Sequence, residues 1–420
     1  MSASDAEVVV IGGGAIGVCS AYFLNETGIR VTLVEQKEIA AGSSYGNAGF
    51  ITPSHFIPLS SPGVIKKGLR WLLNPESPFY IKPRLDPAFL SWLWQFRKHA
   101  TERHVQATMG YLRDINLLSR ELYLEIARRT TLDFGLQTNG LLMLYHSPAG
   151  QHDCANMAAL AEQIGEPAEI VDNQRIGELD PALETRAAGG LYFPRDAHIN
   201  PARFVIRLAE YLQTQGVRIL TRTHVESFRA ANGQITAVKT NRGDISCQQV
   251  VLAGGAWSPL VSETLGLQLP VQPAKGYSVT IPQPSPHQQL PLILTEAKVA
   301  VTPLGNEIRF GGTLELAGIS HTINRRRVVA ILKAVPRYIG RFDDVQVDPA
   351  TAWSGLRPCT PDGLPIVGRS PRHSNLFIAT GHAMIGISLA PFTGKIISQL
   401  IADKEPEMNI DPLKVERFYL

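Results

Sequence analysis

The sequence predicts an α/β chain in which a doubly wound sheet is joined to a second unit built on a mixed, largely antiparallel sheet with helices. Three observations carry this. Val8-Val9-Val10-Ile11 is an apolar run of the kind found in strands buried on both faces; a glycine turn follows, and Ile16 to Leu24 reads as the start of a helix. Leu376 to Thr380 followed by Gly381 and Gly386 reads as a second strand, glycine turn and helix. Between residues 270 and 350, β-branched and polar residues alternate at Gly276–Ile281, Val299–Pro303 and Ile308–Leu314, as antiparallel strands do.

The opening unit carries the spacing G-x-G-x-x-G at Gly12, Gly14 and Gly17. The first glycine permits the turn, the second lets a pyrophosphate touch backbone, and the third lets helix and strand pack closely. The anion then sits at the positive end of the helix, beside the backbone of Ala15 and Ile16. Gly28 closes the helix, and Val31-Thr32-Leu33-Val34 is a second strand ending at Glu35 and Gln36. An acidic residue there can take both ribose hydroxyls of an adenosine. A dinucleotide site is expected; a glycine turn without a ligand is the alternative.

Bulk properties narrow the class. The 420 residues suffice for two or three domains. Lys+Arg total 40 against 37 Asp+Glu, a net charge of +3, which gives no sign of a nucleic-acid binder. Cys19, Cys154, Cys247 and Cys359 are scattered without a C-x-x-C pair, against a metal site or disulfide framework and in favour of a reducing, cytoplasmic setting. The first strand begins too early to leave room for a signal peptide, and no apolar run is long enough to span a membrane.

Residues 40–53 are small and hydroxylated, too poor in apolar mass for a core segment and suited to wrapping a phosphate or a ring edge. The opening fingerprint, Ser43-Ser44 and Asn47-Ala48-Gly49 together resemble the D-amino-acid oxidase superfamily of FAD enzymes, and within it the D-amino-acid dehydrogenases, with glycine oxidase more distant. Two further motifs extend the likeness over the whole chain: Gly355-Leu356-Arg357-Pro358-Cys359-Thr360-Pro361-Asp362-Gly363, and Gly381-His382-Ala383-Met384-Ile385-Gly386-Ile387-Ser388. The resemblance implies that Gly12, Gly14, Ala15, Ile16, Gly17, Glu35 and Gln36 hold the ADP half of FAD. Ser43 and Ser44 approach the pyrophosphate, and Asn47, Ala48, Gly49, Phe50 and Ile51 run beside the isoalloxazine. Val225 meets adenine through its backbone. Ala253, Gly254, Trp257, Gly355, Gly381, Met384, Ile385, Gly386, Ile387 and Ser388 complete the cofactor set. A cysteine tether near Cys359, known in some relatives, does not align, so a non-covalent flavin is expected.

The rest of the chain supplies a frame. Tyr111 to Arg129 is amphipathic, with Leu112, Ile115, Leu118, Leu122 and Ile126 on one face. Helices are also expected at Asn156–Ile164, Asn173–Leu179, 201–215 and Arg325–Val335, and Ile235–Thr240 with Ile245–Leu252 reads as a hairpin. The expected division is a discontinuous FAD-binding domain of residues 1–54, 151–268 and 351–420, and a substrate domain of 55–150 and 269–350. Three of the five tryptophans, Trp71, Trp92 and Trp94, fall among leucines and bases in 55–100. That stretch is either a pair of helices on the domain or a surface resting on the inner face of the plasma membrane.

The chemistry implied is removal of hydride from the α-carbon of an amino acid to flavin N5, with the protein supplying position rather than a firm acid or base. A guanidinium suits a carboxylate because its planar fork bonds both oxygens; Arg357 stands where the family places such an arginine, the alternative being a structural pair with Asp362. His55, Tyr277, Lys298 and His382 are further candidates to meet substrate. Two positions depart from glycine oxidase: its second arginine aligns with Met384, and its active-site tyrosine with Ala300. The reading is oxidative deamination of a D-amino acid, cyclic ones such as D-proline or a hydroxyproline included, with electrons passed to quinone or another carrier. A glycine or sarcosine oxidase using oxygen is the alternative, and a non-catalytic NAD-binding sensor the alternative of another class.

Overall fold

The computed structural model describes residues 6–65, 68, 77–343, 345 and 347–419. Two large sheets organise them. The first has eight strands, and its parallel centre runs Leu376–Thr380, Gly243–Leu252, Ala6–Ile11, Val31–Val34 and Arg218–Leu220. The long strand Gly243–Leu252 also begins an antiparallel meander with Gln234–Thr240 and Val225–Ala231, so one strand serves both arrangements. Ala6–Ile11 is covered on both faces, as its unbroken apolar run requires. Val8 and Val10 enter the core shared with the helices Ala15–Glu26, Glu102–Thr130, Pro201–Thr214 and Ala390–Ile401, while Val9 and Ile11 enter the core on the other side. The helices Ala15–Glu26 and Ala390–Ile401 cross closely: a Cβ on Gly394 would lie 2.5 Å from the Cys19 backbone.

The second sheet has nine strands, with Trp353–Cys359, Gln272–Pro282, Glu307–Leu316, Val299–Pro303, Leu292–Leu294, Leu141–Tyr145, Gly189–Phe193 and Glu169–Val171 along its path and Phe79–Ile81 at a branch. Alternation divides it. Leu142, Leu144, Leu292, Leu294, Val301, Ile308, Phe310, Tyr277 and Val279 pack into one core with Val328 and Ile331 of the helix Arg325–Ala334. Their neighbours Met143, Ile293, Ala300, Gly311 and Gly276 face a cavity on the opposite side.

Sheet membership does not follow the sequence blocks expected above. Gly189–Phe193, Glu169–Val171 and Trp353–Cys359 lie within 151–268 and 351–420 yet pair in the second sheet. The helix Glu102–Thr130 lies within 55–150 yet buries Leu112, Ile115, Leu122 and Ile126 against the first sheet's helices. Strand pairing and helix docking are long-range choices that local pattern does not encode. The helix expected after Gly381 starts only at Ala390. Residues 381–389 form turns, because Gly381 (φ +82°) and Ala383 (φ +46°) take left-handed conformations that no helix accommodates. The helix expected from Asn156 begins earlier, at Pro148, where the Ser147 hydroxyl accepts from Gly150 N–H.

Candidate active site

The two sheets enclose a cavity of about 1000 Å³. One end is built by the first strand, turn and helix. Gly12 has φ +117°, and a Cβ there would stand 2.4 Å from the Ala253 carbonyl oxygen; on Gly17 it would fall 1.8 Å from the Gly12 carbonyl oxygen. The first glycine therefore allows the turn to pass under Gly243–Leu252, and the third lets helix and turn touch, each as the spacing requires. Gly14 caps the helix without a side-chain acceptor, and the only side chain bonding to Ala15 N–H is the Ser44 hydroxyl (3.0 Å) among the described residues. A helix start with no acidic residue in its first turn, bordered by serines, fits a diphosphate. Glu35 accepts from Gly13 N–H (2.7 Å) and Lys37 N–H (2.8 Å), which fixes the carboxylate while leaving it lone pairs for hydroxyl donors on the cavity side.

Gly12, Gly14, Ala15, Ile16, Glu35, Gln36, Ser43, Ser44, Asn47, Ala48, Phe50, Val225, Ala253, Gly254, Trp257, Gly355, Met384, Ile385, Gly386 and Ile387 all line this one cavity. Five of the residues expected to touch cofactor stand behind the wall instead. Gly17 is the packing contact just described. Gly49 (φ +77°) allows the backbone to pass the Ile199 carbonyl, which a Cβ would approach to 2.2 Å. Ile51 is fully buried in the core and pairs with Ala197. Gly381 makes the turn after Leu376–Thr380. Ser388 is buried, its hydroxyl accepting from Thr52 N–H (2.9 Å) and donating to Asn116 Oδ1 (2.5 Å).

The segment Tyr45–Ala48 is held from above by the second sheet, through residues that sequence reasoning did not single out. Arg309 Nη1 donates to the carbonyls of Tyr45 (3.1 Å) and Asn47 (2.7 Å) while its Nε donates to Thr280 Oγ1 (2.9 Å). Ser278 Oγ donates to Gly46 O (2.9 Å) and Thr302 Oγ1 to Ala48 O (2.7 Å). All lie on the cavity side of the sheet by alternation. The only advance signal was that alternation, since the partners are more than 230 residues apart. His321, stacked on Trp257 with ring centroids 6.0 Å apart, and Trp353, whose ring packs against Gly46 and Gly355, were missed likewise.

Arg357 lies on the cavity wall. Its side chain crosses Gly276, where a Cβ would come within 2.4 Å of Nη2, and Nη1 donates to the Thr313 carbonyl (2.6 Å). Among the described residues no carboxylate pairs with it. Asp362 instead takes a forked pair from Arg417, at 2.7 and 3.2 Å, which removes the structural alternative for Arg357. Burial lowers the pKa of Arg357, yet so strong a base stays charged. A half-buried cation lacking an acidic partner among the described residues is costly, and an anion arriving in the cavity would relieve that cost.

The other candidates divide. His55 lines the cavity with its pKa pushed down to about 4 by burial; its Nδ1 is 3.4 Å from Ser54 Oγ, which donates to Asp196. Asp196 is fully buried and held well above the usual carboxylate range by desolvation, and it anchors the loop that carries His55. Tyr277 touches the cavity, but its hydroxyl donates to Glu315 (2.8 Å) and accepts from Asn324 N–H (3.2 Å). It tightens a buried cluster in which Lys275 lies 3.5 Å and Arg327 3.9 Å from Glu315. His382 also lines the cavity; it is buried with Nε2 2.8 Å from Thr393 Oγ1, which ties the 381–389 turns to the following helix, and burial pushes its pKa down to about 3. Lys298 lines the cavity at a left-handed turn (φ +54°) just before Val299–Pro303. Cys359 is fully buried with its thiol pushed up to about 12, and is not on the cavity wall.

The basic aromatic stretch is split. Of 65–73, residues 66, 67 and 69–73 lie outside the described residues. Trp92 is buried and donates to the Cys359 carbonyl (3.0 Å), so it serves packing. Leu85, Leu90 and Trp94 are exposed, and Lys98 Nζ stands 3.4 Å over the Trp94 ring. No helix among the described residues is long and apolar enough to cross a membrane.

A glycine-turn cradle, a carboxylate fixed at the end of the second strand, a serine-lined helix start and a broad slot under a second sheet are the features of a flavin-dinucleotide enzyme. The chain belongs to the family of FAD dependent oxidoreductases designated DAO, whose model matches residues 7–400. FAD is its cofactor, and the NAD-sensor alternative falls. Over 418 residues the chain is 32% identical to the D-amino acid dehydrogenase of Bradyrhizobium diazoefficiens, covering 98% of this chain and 99% of that protein. It is 33% identical to the D-amino acid dehydrogenase of Rhizorhabdus wittichii, covering 98% and 100%. Among solved structures it resembles glycine oxidase from Geobacillus kaustophilus, with TM-score 0.79, 25% identity and 98% of each chain covered.

Proposed function

We propose that this enzyme oxidises a D-amino acid, open-chain or cyclic, to the imino acid, which water converts to the keto acid and ammonia when the chain is open. The observation that carries the reading is Arg357, a cation on the cavity wall without a carboxylate partner among the described residues, placed to grip a substrate carboxylate with its planar fork. The relatives' names support the D series. FAD, held non-covalently, would supply the acceptor for the hydride that leaves Cα, while the amine releases a proton to water and its lone pair closes the C=N bond. The chain's own residues bind and orient: Arg357 fixes the carboxylate, the Met384–Ile387 turn and Ala48 border the slot, and neutral His55 lines it without adding charge. Cys19, Cys247 and Cys359 lie off the cavity wall, and Cys154, which lines it, has its thiol against Thr295 Oγ1 and held protonated by burial, which supports the non-covalent mode. The division of labour follows the two sheets rather than sequence blocks, the first binding cofactor and the second covering the substrate.

The acceptor proposed is quinone, reached from the inner face of the plasma membrane. Exposed Leu85, Leu90 and Trp94 beside Arg97 and Lys98 give the apolar-plus-basic surface that such contact needs. The test is a panel of D- and L-amino acids with D-proline and the hydroxyproline isomers, scored by dye or short-chain quinone reduction and by peroxide yield. D-substrates should bleach the flavin and reduce quinone with little peroxide. Full peroxide yield would instead make the enzyme an oxidase, and bleaching by L-amino acids alone would overturn the D assignment.

A further inference from the structure

Resting on that reading, we infer that the substrate's side chain enters an apolar arm of the cavity beginning beside Arg357, and that preferred substrates carry a large apolar side chain. Arg357 is bonded to the carbonyl of Thr313; the next residue, Leu314, pairs in register with Phe79. From there Leu314, Phe79, Leu93, Phe96, Val64 and Leu59 line one continuous arm. The helix Pro87–His99 closes its side, fixed by the Trp92 bond to Cys359 and by the stacking of Trp92 on Phe96 (5.2 Å between centroids, 20° between planes). Ala383 N–H donates to the Pro358 carbonyl (2.8 Å), which brings apolar Ala383 and Met384 against the arm's inner end.

Charge is placed elsewhere. Besides Arg357, the charged side chains lining the cavity among the described residues are Glu35, Lys37, Asp153, Lys298 and Arg97. Glu35 and Lys37 belong to the glycine-turn end. Asp153 lies on the helix Pro148–Gln163 and Lys298 at the turn before Val299–Pro303, and the charges of both act on the Cys154 thiol of that helix; Arg97 is exposed at the outer end of the arm. A side-chain carboxylate or ammonium carried into the arm would lose water and, among the described residues, meet no charged partner short of Arg97 at the outer end, whereas each added methylene would leave water for an apolar wall.

The experiment measures kcat/KM with dye for D-leucine, D-methionine and D-phenylalanine against D-alanine, D-aspartate, D-lysine and 4-hydroxy-D-proline. Large apolar substrates should lead D-alanine by about tenfold or more, the usual worth of a methylene or two in such a pocket, and the charged ones by more. Leu93→Asp should lower the D-leucine to D-alanine ratio by about tenfold, and because both rates come from one preparation the ratio is independent of how much protein folds. A lead for D-alanine, a charged side chain or hydroxyproline, or an unchanged ratio in Leu93→Asp, overturns the inference. So does a Leu93→Asp variant whose only change is a raised KM for short-chain quinone, since the arm would then serve the acceptor. Failure of every amino acid to bleach the flavin would overturn the amino-acid reading itself.

Discussion

Gly276→Ala is expected to disable substrate binding without touching the fold. The added methyl would sit 2.4 Å from Nη2 and 2.5 Å from Cζ and Nη1 of Arg357, where ordinary contact begins near 3.4 Å. The guanidinium must therefore retreat by about 1 Å. It is the far end of a flexible side chain, so it gives way before the strand does. Gly276 is absent from the left-handed glycines, so alanine is compatible with its backbone, and the thermal midpoint should hold or rise slightly. A misplacement of about 1 Å in a positioning group costs on the order of a hundredfold, or about 2.7 kcal/mol. The assay is steady-state dye reduction with a flavin spectrum of the same sample: kcat/KM should fall about a hundredfold, mostly through KM, with FAD content unchanged. Arg357→Ala should produce a loss at least as large, and adding Gly276→Ala to it should cost nothing further, because the methyl then has nothing to displace. A wild-type KM in Gly276→Ala, or additive losses in the double variant, would refute the carboxylate clamp.

Two other outcomes follow from the geometry. Arg309→Ala removes three hydrogen bonds, two of them to the Tyr45–Ala48 segment, and at roughly 1.5 kcal/mol or more for each charged bond to that segment should weaken FAD affinity on the order of a hundredfold, as read by flavin fluorescence titration; unaltered affinity would show that the segment holds its shape unaided. His382 is depressed to about 3 in the fold against an ordinary 6.5, so its contribution to stability is present above pH 6.5 and is lost as pH falls toward the folded value, on the order of 1.4 kcal/mol per pH unit. Asp196, held above the carboxylate range, takes up a proton on folding over part of the same window and opposes the trend. The difference in denaturation midpoint between wild type and His382→Asn isolates the histidine: it should shrink from pH 7 to pH 4.5, and a constant difference would refute the assignment.

The sequence by itself determined the parts whose physics is local. The valine run, the glycine spacing and Glu35 define a strand, a turn and a helix start within thirty residues, because each glycine answers a steric demand of its immediate neighbours. Alternation at 299–303 and 308–314 was likewise enough to place strands. Arg357 was legible only through its motif; nothing local told a proposed substrate clamp from a partner of Asp362, and the structure removes the second option by giving Asp362 to Arg417. Only tertiary structure could send Gly189–Phe193 to the second sheet, lay Arg309 over Tyr45–Ala48, and turn the hydroxyl of Tyr277 and the ring of His382 to structural partners. These are contacts between residues far apart in the chain, fixed by which apolar faces meet when two sheets close on one another, and no window of sequence carries that choice.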